Sequence, residues 1–316
     1  MSKSVVKTVG RWLENDYRHA LIAIVALTLV SQIIPFIGVF VWIILAFCSQ
    51  SYNINHSFVV FIVTFISTFV TATSQIQPIE QQGYGIATLI QIIWIYPVVS
   101  IWTSGTVLKR FRSLALAIET ISIIALLSLI LVYAIDGDIQ YRVIKWIVES
   151  FPEINSEPNN LRSSLWLFSL IGMAMMYQIF IDTVYLILAK QWKDYLHHKC
   201  ISIRKQIESI KLSKIYVVAI IFSAIFVSLF SFHADEGADI GWLGLMNLAP
   251  IIAVTYLFGG LAVFYHYLKT LKMKKKEKVI IEVFFYISLY IIPYFLLTLS
   301  FVGLADSGFN LRKRAR

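Results

Sequence analysis

Charge is what this sequence has least of. Only 14% of its 316 residues are Asp, Glu, Lys or Arg while 58% are apolar, and so little charge cannot cover the surface of a water-soluble fold of that size. No Asp, Glu, Lys or Arg occurs between Arg18 and Glu80, and a second such run extends from Gln81 to Leu108. Each run exceeds the roughly 20 residues needed to cross a bilayer. A soluble domain is excluded. The chain reads as an integral membrane protein, one polytopic all-α domain over residues 1–316, with no internal repeat and no low-complexity linker.

Other shortages narrow the chemistry. The two cysteines, Cys48 and Cys200, cannot form a disulfide framework, and neither sits in a CxxC or Cys/His cluster. There is no GxxxxGK loop followed by Ser or Thr, no HExxH and no GxSxG. Phosphate-loop ATP hydrolysis, zinc proteolysis of that type and a nucleophile elbow are therefore not expected. His197 and His198 lie in a charged loop without a matching ligand set. No metal, no cofactor and no enzymatic reaction is expected. The net charge of +9 arises from short basic runs flanking apolar spans, as the positive-inside rule requires, so no nucleic-acid partner is expected.

Those basic runs orient the chain. The stretch from Arg162 to Lys190 separates a loop bearing Asp136, Asp138, Glu149, Glu153 and Glu157 from one bearing Lys193, Lys199, Arg204, Lys205, Lys211 and Lys214. It should therefore run from outside to inside. Lys3, Lys7, Arg11 and Arg18 place the N-terminus in the cytoplasm before an uncleaved first span. Lys109, Arg110 and Arg112 must be inside as well, so an even number of crossings lies between. A hairpin at Pro35, joining two short helices at Ile34–Gly38, supplies the parity together with helices from Ser57 to Thr73 and Tyr84 to Leu108. A single span through Pro35 would not.

Further spans are expected from Ser113 to Ala134, from Ile215 to Phe230, from Trp242 to Leu268 with a kink at Pro250, and from Val279 to Leu304, eight or nine in all. An acidic turn with His233, Asp235, Glu236 and Asp239 falls between two of them. The last crossing strains the charge rule, because it puts Arg312, Lys313, Arg314 and Arg316 outside; a turn at Pro293 would bring them back. Two amphipathic segments are expected at the interfaces. Residues 139–150 carry Ile139, Val143, Trp146 and Ile147 at helical spacing and end at Pro152, and residues 201–211 carry Ile203, Ile207 and Ile210.

Four ionisable groups fall inside spans. Glu119 lies seven residues past Arg112, Asp182 eight before Lys190, His266 three before Lys269 and Glu282 four after Lys278. At 1.5 Å per residue these depths are roughly 5–12 Å, within the inner half of the bilayer. A carboxylate at mid-membrane costs about 2.5–3.5 kcal/mol on insertion scales, so such residues mark polar sites or are paired. The functional reading is a cytoplasm-facing polar pocket or proton path around Glu119, Asp182, His266 and Glu282. The structural one is pairing with a snorkelling Lys or Arg, or with a Tyr. Pro97, Pro250 and Pro293, with Gln91, Ser100 and Asn247 nearby, offer broken helices of the kind that line transporter sites, although prolines are also common in membrane helices. Gly259 and Gly260 indicate close helix packing or a bend.

Three stretches carry a family resemblance: Gly303-Leu304-Ala305-Asp306-Ser307-Gly308-Phe309-Asn310-Leu311-Arg312-Lys313-Arg314, Phe258-Gly259-Gly260-Leu261-Ala262-Val263-Phe264-Tyr265-His266, and Leu188-Ala189-Lys190-Gln191-Trp192. Together they resemble the YybS-like predicted bacterial membrane proteins of unknown function. The resemblance implies a bacterial inner (plasma) membrane location and, by fold-level analogy, a loose similarity to the substrate-binding subunits of energy-coupling transporters. Membrane lipids are expected partners. The leading expectation is binding or transport of a small solute at the polar site, driven by an ion gradient or a separate ATPase. The alternative is a scaffold or assembly factor whose basic loops, Lys190–Lys214 and Lys269–Lys278, dock a cytoplasmic protein partner or anionic lipid.

Overall fold

A computed structural model describes residues 3–76, 84–136, 139–150, 169–198, 202–231, 245–291 and 293–314. Every regular element among them is helical: α1 (Lys3–Asn15), α2 (Tyr17–Ser31), α3 (Gly38–Ser51), α4 (Ile54–Ile76), α5 (Tyr84–Phe111), α6 (Leu114–Ile135), α7 (Ile139–Ser150), α8 (Leu170–Leu196), α9 (Ile203–Glu208), α10 (Lys214–Ser231), α11 (Leu248–Thr270), α12 (Lys275–Ile291), α13 (Pro293–Phe309) and α14 (Leu311–Arg314). Among the described residues four helices, within α4, α6, α8 and α11, are long and apolar enough to cross a membrane. Shorter apolar helices lie at Tyr17–Ser31, Gly38–Ser51, Lys214–Ser228 and Phe295–Phe309. The expected features at Asp138, Pro152, Glu153, Glu157, Arg162, Lys199, Cys200, His233–Asp239 and Trp242 lie outside the described residues.

Local chemistry sets the helix ends. Asp16 accepts the Arg18 backbone N–H at 3.0 Å and caps α2. Pro35 opens a short 3₁₀ turn, Pro35–Ile37, between α2 and α3, which pack on each other, so the expected hairpin is present. Arg112 adopts φ 53°, turning the chain sharply between α5 and α6, and Ser113 caps α6 by accepting the Leu116 N–H at 3.3 Å. Residues 139–150 form α7, whose buried Ile139 and Val143 belong to the core where this helix meets α5.

The α8 helix is the hub. It touches α3, α5, α6 and α11, and α5 in turn holds α3, α4 and α6. Basic residues gather at one end of the bundle, which we call the basic end. There Lys193 donates to the Gln50 carbonyl, Lys109 to the Tyr52 carbonyl, and Lys269 pairs with Glu208 at 2.9 Å. The α1 helix also lies at this end, packed on α8. Trp192 donates to the Val6 carbonyl at 3.2 Å, His197 meets Glu14 at 2.8 Å, and Gly10 faces Trp192 and Leu196.

Two expectations change, for the stretch from Val279 to Leu304 and for residues 201–211. Pro250 occupies the first turn of α11, three residues after the chain turns at Asn247; the start of the span expected from Trp242 lies outside the described residues. The stretch from Val279 to Leu304 is not one helix. It divides into α12 and α13, Phe295 folds against Phe285, and Arg312 donates to the Glu208 carbonyl at 2.9 Å. The basic tail thus returns to the end that carries Lys269. The amphipathic segment near 201–211 also differs from its expected face: its helix stops at Glu208, Ile203 is exposed, and Gln206 is buried beside the fully buried Ile210.

Helices α11 and α13 pack backbone against backbone, and glycine makes it possible. A Cβ on Gly260 would overlap the Leu299 carbonyl, and one on Gly303 would overlap the Tyr256 carbonyl. Ser300 then donates to the Ala253 carbonyl at 2.7 Å across the seam. Gly260→Ala or Gly303→Ala should force this pair apart and destabilise by about 1–3 kcal/mol. Gly308→Ala, with no atom near its Cβ, should leave the melting temperature in detergent unchanged; equal melting temperatures for all three variants would refute the close-packing account.

Candidate functional site

The hub helix carries the deepest charge. Asp182 is fully buried on α8. Its Oδ1 accepts from Gln178 Nε2 at 2.8 Å, one turn earlier on the same helix, and its Oδ2 accepts from the Ser100 hydroxyl on α5. Ser100 follows Pro97, which sits inside α5 and breaks its backbone hydrogen-bond ladder by removing one donor. The carboxylate therefore lies where one helix is locally broken and the next presents an amide. Among the described residues no Lys, Arg or His is bonded to Asp182.

A second set of polar side chains joins α6, α10 and α11. The Tyr216 hydroxyl donates to Thr255 Oγ1 at 2.9 Å, and Ser122 lies 2.6 Å from the same oxygen. The Thr255 hydroxyl itself donates to the Ile251 carbonyl at 2.9 Å. Farther from the basic end, Asn247 accepts the Gly172 N–H at 2.7 Å and donates to the Tyr133 hydroxyl at 2.8 Å. These bonds satisfy polar groups that water does not reach.

The other three candidate residues stand near the basic end, each with its own partner. Glu119 accepts from the backbone N–H and, at 2.7 Å, the hydroxyl of Ser213, so it anchors the segment entering α10. Glu282 pairs with Arg204 at 3.2 Å. His266 Nδ1 is 4.0 Å from Glu208. His266 and Glu282 are thus both brought to one short helix, α9, through Glu208 and Arg204; Glu119 and Asp182 are not joined to them by any described contact. No group of three His, Cys, Asp or Glu suited to a metal ion occurs among the described residues.

Sequence reasoning missed Glu208 and Gln178. Glu208 lies four residues after Arg204, and Gln178 four before Asp182, so each shares a helix face with a residue already singled out. It also missed the tail clamp. Asn310 takes φ 50°, and the turn lets Arg312 reach Asp306 at 2.7 Å while holding α9 through Glu208. Asp306 is 3% exposed. Removing its partner leaves a buried charge unpaired, so Arg312→Ala should destabilise by roughly 3–5 kcal/mol and expose α14 to limited proteolysis, whereas Asp306→Asn with Arg312→Gln should recover most of the loss. Unchanged proteolysis in Arg312→Ala would show that the clamp does not hold the tail.

Against this geometry, a family described as predicted membrane protein (DUF2232) matches residues 160–307. The chain is a membrane protein. The matched segment contains α8 to α12 and α13 up to Ser307, and hence Asp182, Glu208, His266, Glu282 and Asp306, while Glu119 and Ser100 fall before it. No curated protein and no solved structure matches the chain.

Proposed function

We propose that this membrane protein binds a small solute within its helix bundle, with Asp182 as the polar centre, and that it is a YybS-like protein of the bacterial inner membrane with its basic end in the cytoplasm. The observation that carries the reading is Asp182 itself: a fully buried carboxylate, beside a proline-broken helix, that among the described residues bonds to Ser100 and Gln178 and to no basic side chain. A lone carboxylate in a low-dielectric bundle is costly. Its natural complements are a cation, an amine or hydroxyl donor on a solute, or a transferable proton. The Pro97 break supports the same reading, because a helix without one backbone bond can rearrange around a ligand at small expense. The fold-level analogy with the substrate-binding subunits of energy-coupling transporters is consistent with it.

Glu119, His266 and Glu282 then have a different part. Each holds the basic end together around Asp182 rather than touching the solute, since each already has a partner on α9 or at the start of α10.

The second reading, a scaffold, draws support from the exposed Lys272 and Lys274 between α11 and α12 and Lys276 in the first turn of α12, a concentration of charge suited to an acidic protein partner or an anionic leaflet.

Native mass spectrometry of protein extracted from its own membranes separates the two. Solute binding predicts a small adduct on the wild type that disappears in Asp182→Asn, while the melting temperature of the variant stays close to wild type because an amide can still bond Ser100 and Gln178. An adduct of equal mass and occupancy on Asp182→Asn would remove Asp182 from the site. A bound protein without a small adduct, released by Lys272→Glu with Lys274→Glu, would establish the scaffold instead.

A further inference from the structure

At the basic end, α3, α4 and α5 enclose a cavity of about 570 Å³ whose walls include Ser49, Ser57, Thr106, Lys109, Arg110 and Phe111. This volume falls in the range of small-molecule sites. It contains neither Asp182 nor any residue of the clusters described above, and no acid lines it.

Its chemistry divides in two. One side offers cations and hydroxyls. Lys109 reaches the Ser51 carbonyl at 3.5 Å and also donates to that of Tyr52, so its ammonium is fixed at the rim. Arg110 has no acidic partner among the described residues; its guanidinium lies 5.5 Å from the Phe111 ring centroid. Ser57, held by the Trp102 indole N–H at 2.8 Å, and Thr106 add hydroxyl oxygens. The other side is apolar and open: Ile54 and Phe111 are 59% and 57% exposed. The nearest acids are committed elsewhere, Asp16 to the Arg18 N–H and Glu14 to His197.

We propose that this cavity binds the phosphate headgroup of an anionic phospholipid. Lys109 and Arg110 take the phosphate, Ser57 and Thr106 take headgroup hydroxyls, and the acyl chains leave past Ile54 and Phe111. A free phosphate compound would satisfy the cations, but it would leave those two apolar side chains facing water. A lipid uses both halves of the site. The position suits it as well: Lys109 and Arg110 terminate an apolar helix, where cationic side chains meet the headgroup layer. Bound there, the lipid would staple the α2–α3 hairpin to α5 and so support the Ser100 side of the bundle.

The test uses the full chain in detergent, equilibrated with equal amounts of phosphatidylglycerol and phosphatidylcholine of identical acyl chains, with retained lipids counted by native mass spectrometry. The wild type should retain phosphatidylglycerol preferentially. Arg110→Gln, which leaves the Lys109 bonds to the Ser51 and Tyr52 carbonyls intact, should weaken that retention about fivefold. Thr106→Phe, which fills the cavity without changing charge, should abolish the preference. Arg18→Gln, a cation outside the cavity, should leave it unchanged. Equal retention of the two lipids, or a preference that survives both Arg110→Gln and Thr106→Phe, would overturn the proposal. So would retention of added glycerol phosphate with no preference for phosphatidylglycerol, which would make the site one for soluble phosphates.

Discussion

Inside a membrane a polar side chain has only the protein to bond to, and that restriction fixes how these helices meet. Asp182 needs donors, and the two it has come from its own helix and from Ser100 on α5. The pairing sets the register between α8 and α5. The same demand repeats at other crossings: Asn247 ties α8 to the start of α11 and to α6, Thr255 collects Tyr216 and Ser122, and Glu119 holds the entry to α10. Apolar contact alone would let these helices slide, since lipid tails are as good a neighbour as leucine. The hydrogen bonds remove that freedom.

Much of this plan was legible in the residues. Runs without charge marked the spans, Lys and Arg marked one end, and Pro35 marked a hairpin because a proline in mid-span cannot continue a helix. The isolated acids were visible for the same reason: against an apolar background they stand out. What the sequence could not show is which helix supplies each partner. Ser100 was noticed beside Pro97, yet nothing in its spacing from Asp182 joins residues 82 positions apart. Glu119 faced the same ambiguity, and its partner is a serine rather than a basic residue. Pro250 shows the limit of reading prolines by position alone. It lies in the first turn of α11, so what its missing N–H costs depends on where that helix starts, at Leu248 beside the turn at Asn247.

Helix-to-helix distance was legible in kind only. Gly259 and Gly260 announced a close approach, but the matching Gly303 lies on a helix that the charge-free reading had fused with the one before it. Close packing at Gly260 and Gly303 brings the two backbones together, and Ser300 then bonds across the seam. The seam draws α13 alongside α11 and carries the tail to α9, where Arg312 closes on Asp306 and the Glu208 carbonyl. Small residues, one hydroxyl and one ion pair together determine which end the C-terminal tail occupies.

The two proline hairpins bear on how the chain meets the bilayer. The arms of the first, α2 and α3, have 15 and 14 residues, and those of the second, α12 and α13, have 17 each. At 1.5 Å per residue they extend about 21–26 Å, short of a hydrocarbon core of about 30 Å. The tip of the first is also apolar: Ile33 and Phe36 are 82% and 85% exposed. A tip that emerged fully into water would present such side chains at considerable cost. Part of its backbone, however, is bonded within the turn, with Ile33 and Ile34 donating to the Val30 carbonyl and Ile37 to that of Ile34. A turn that bonds to itself, shows mostly hydrocarbon and ties its one exposed amide, Gln32, to Thr71 at 3.1 Å fits the far boundary of the hydrocarbon layer, with the bilayer thinned around it or the hairpin ending below the headgroups. Either arrangement keeps both arms' outer ends at the basic end, so the parity required by Lys109 and the N-terminal lysines is met without a charged loop on the opposite side.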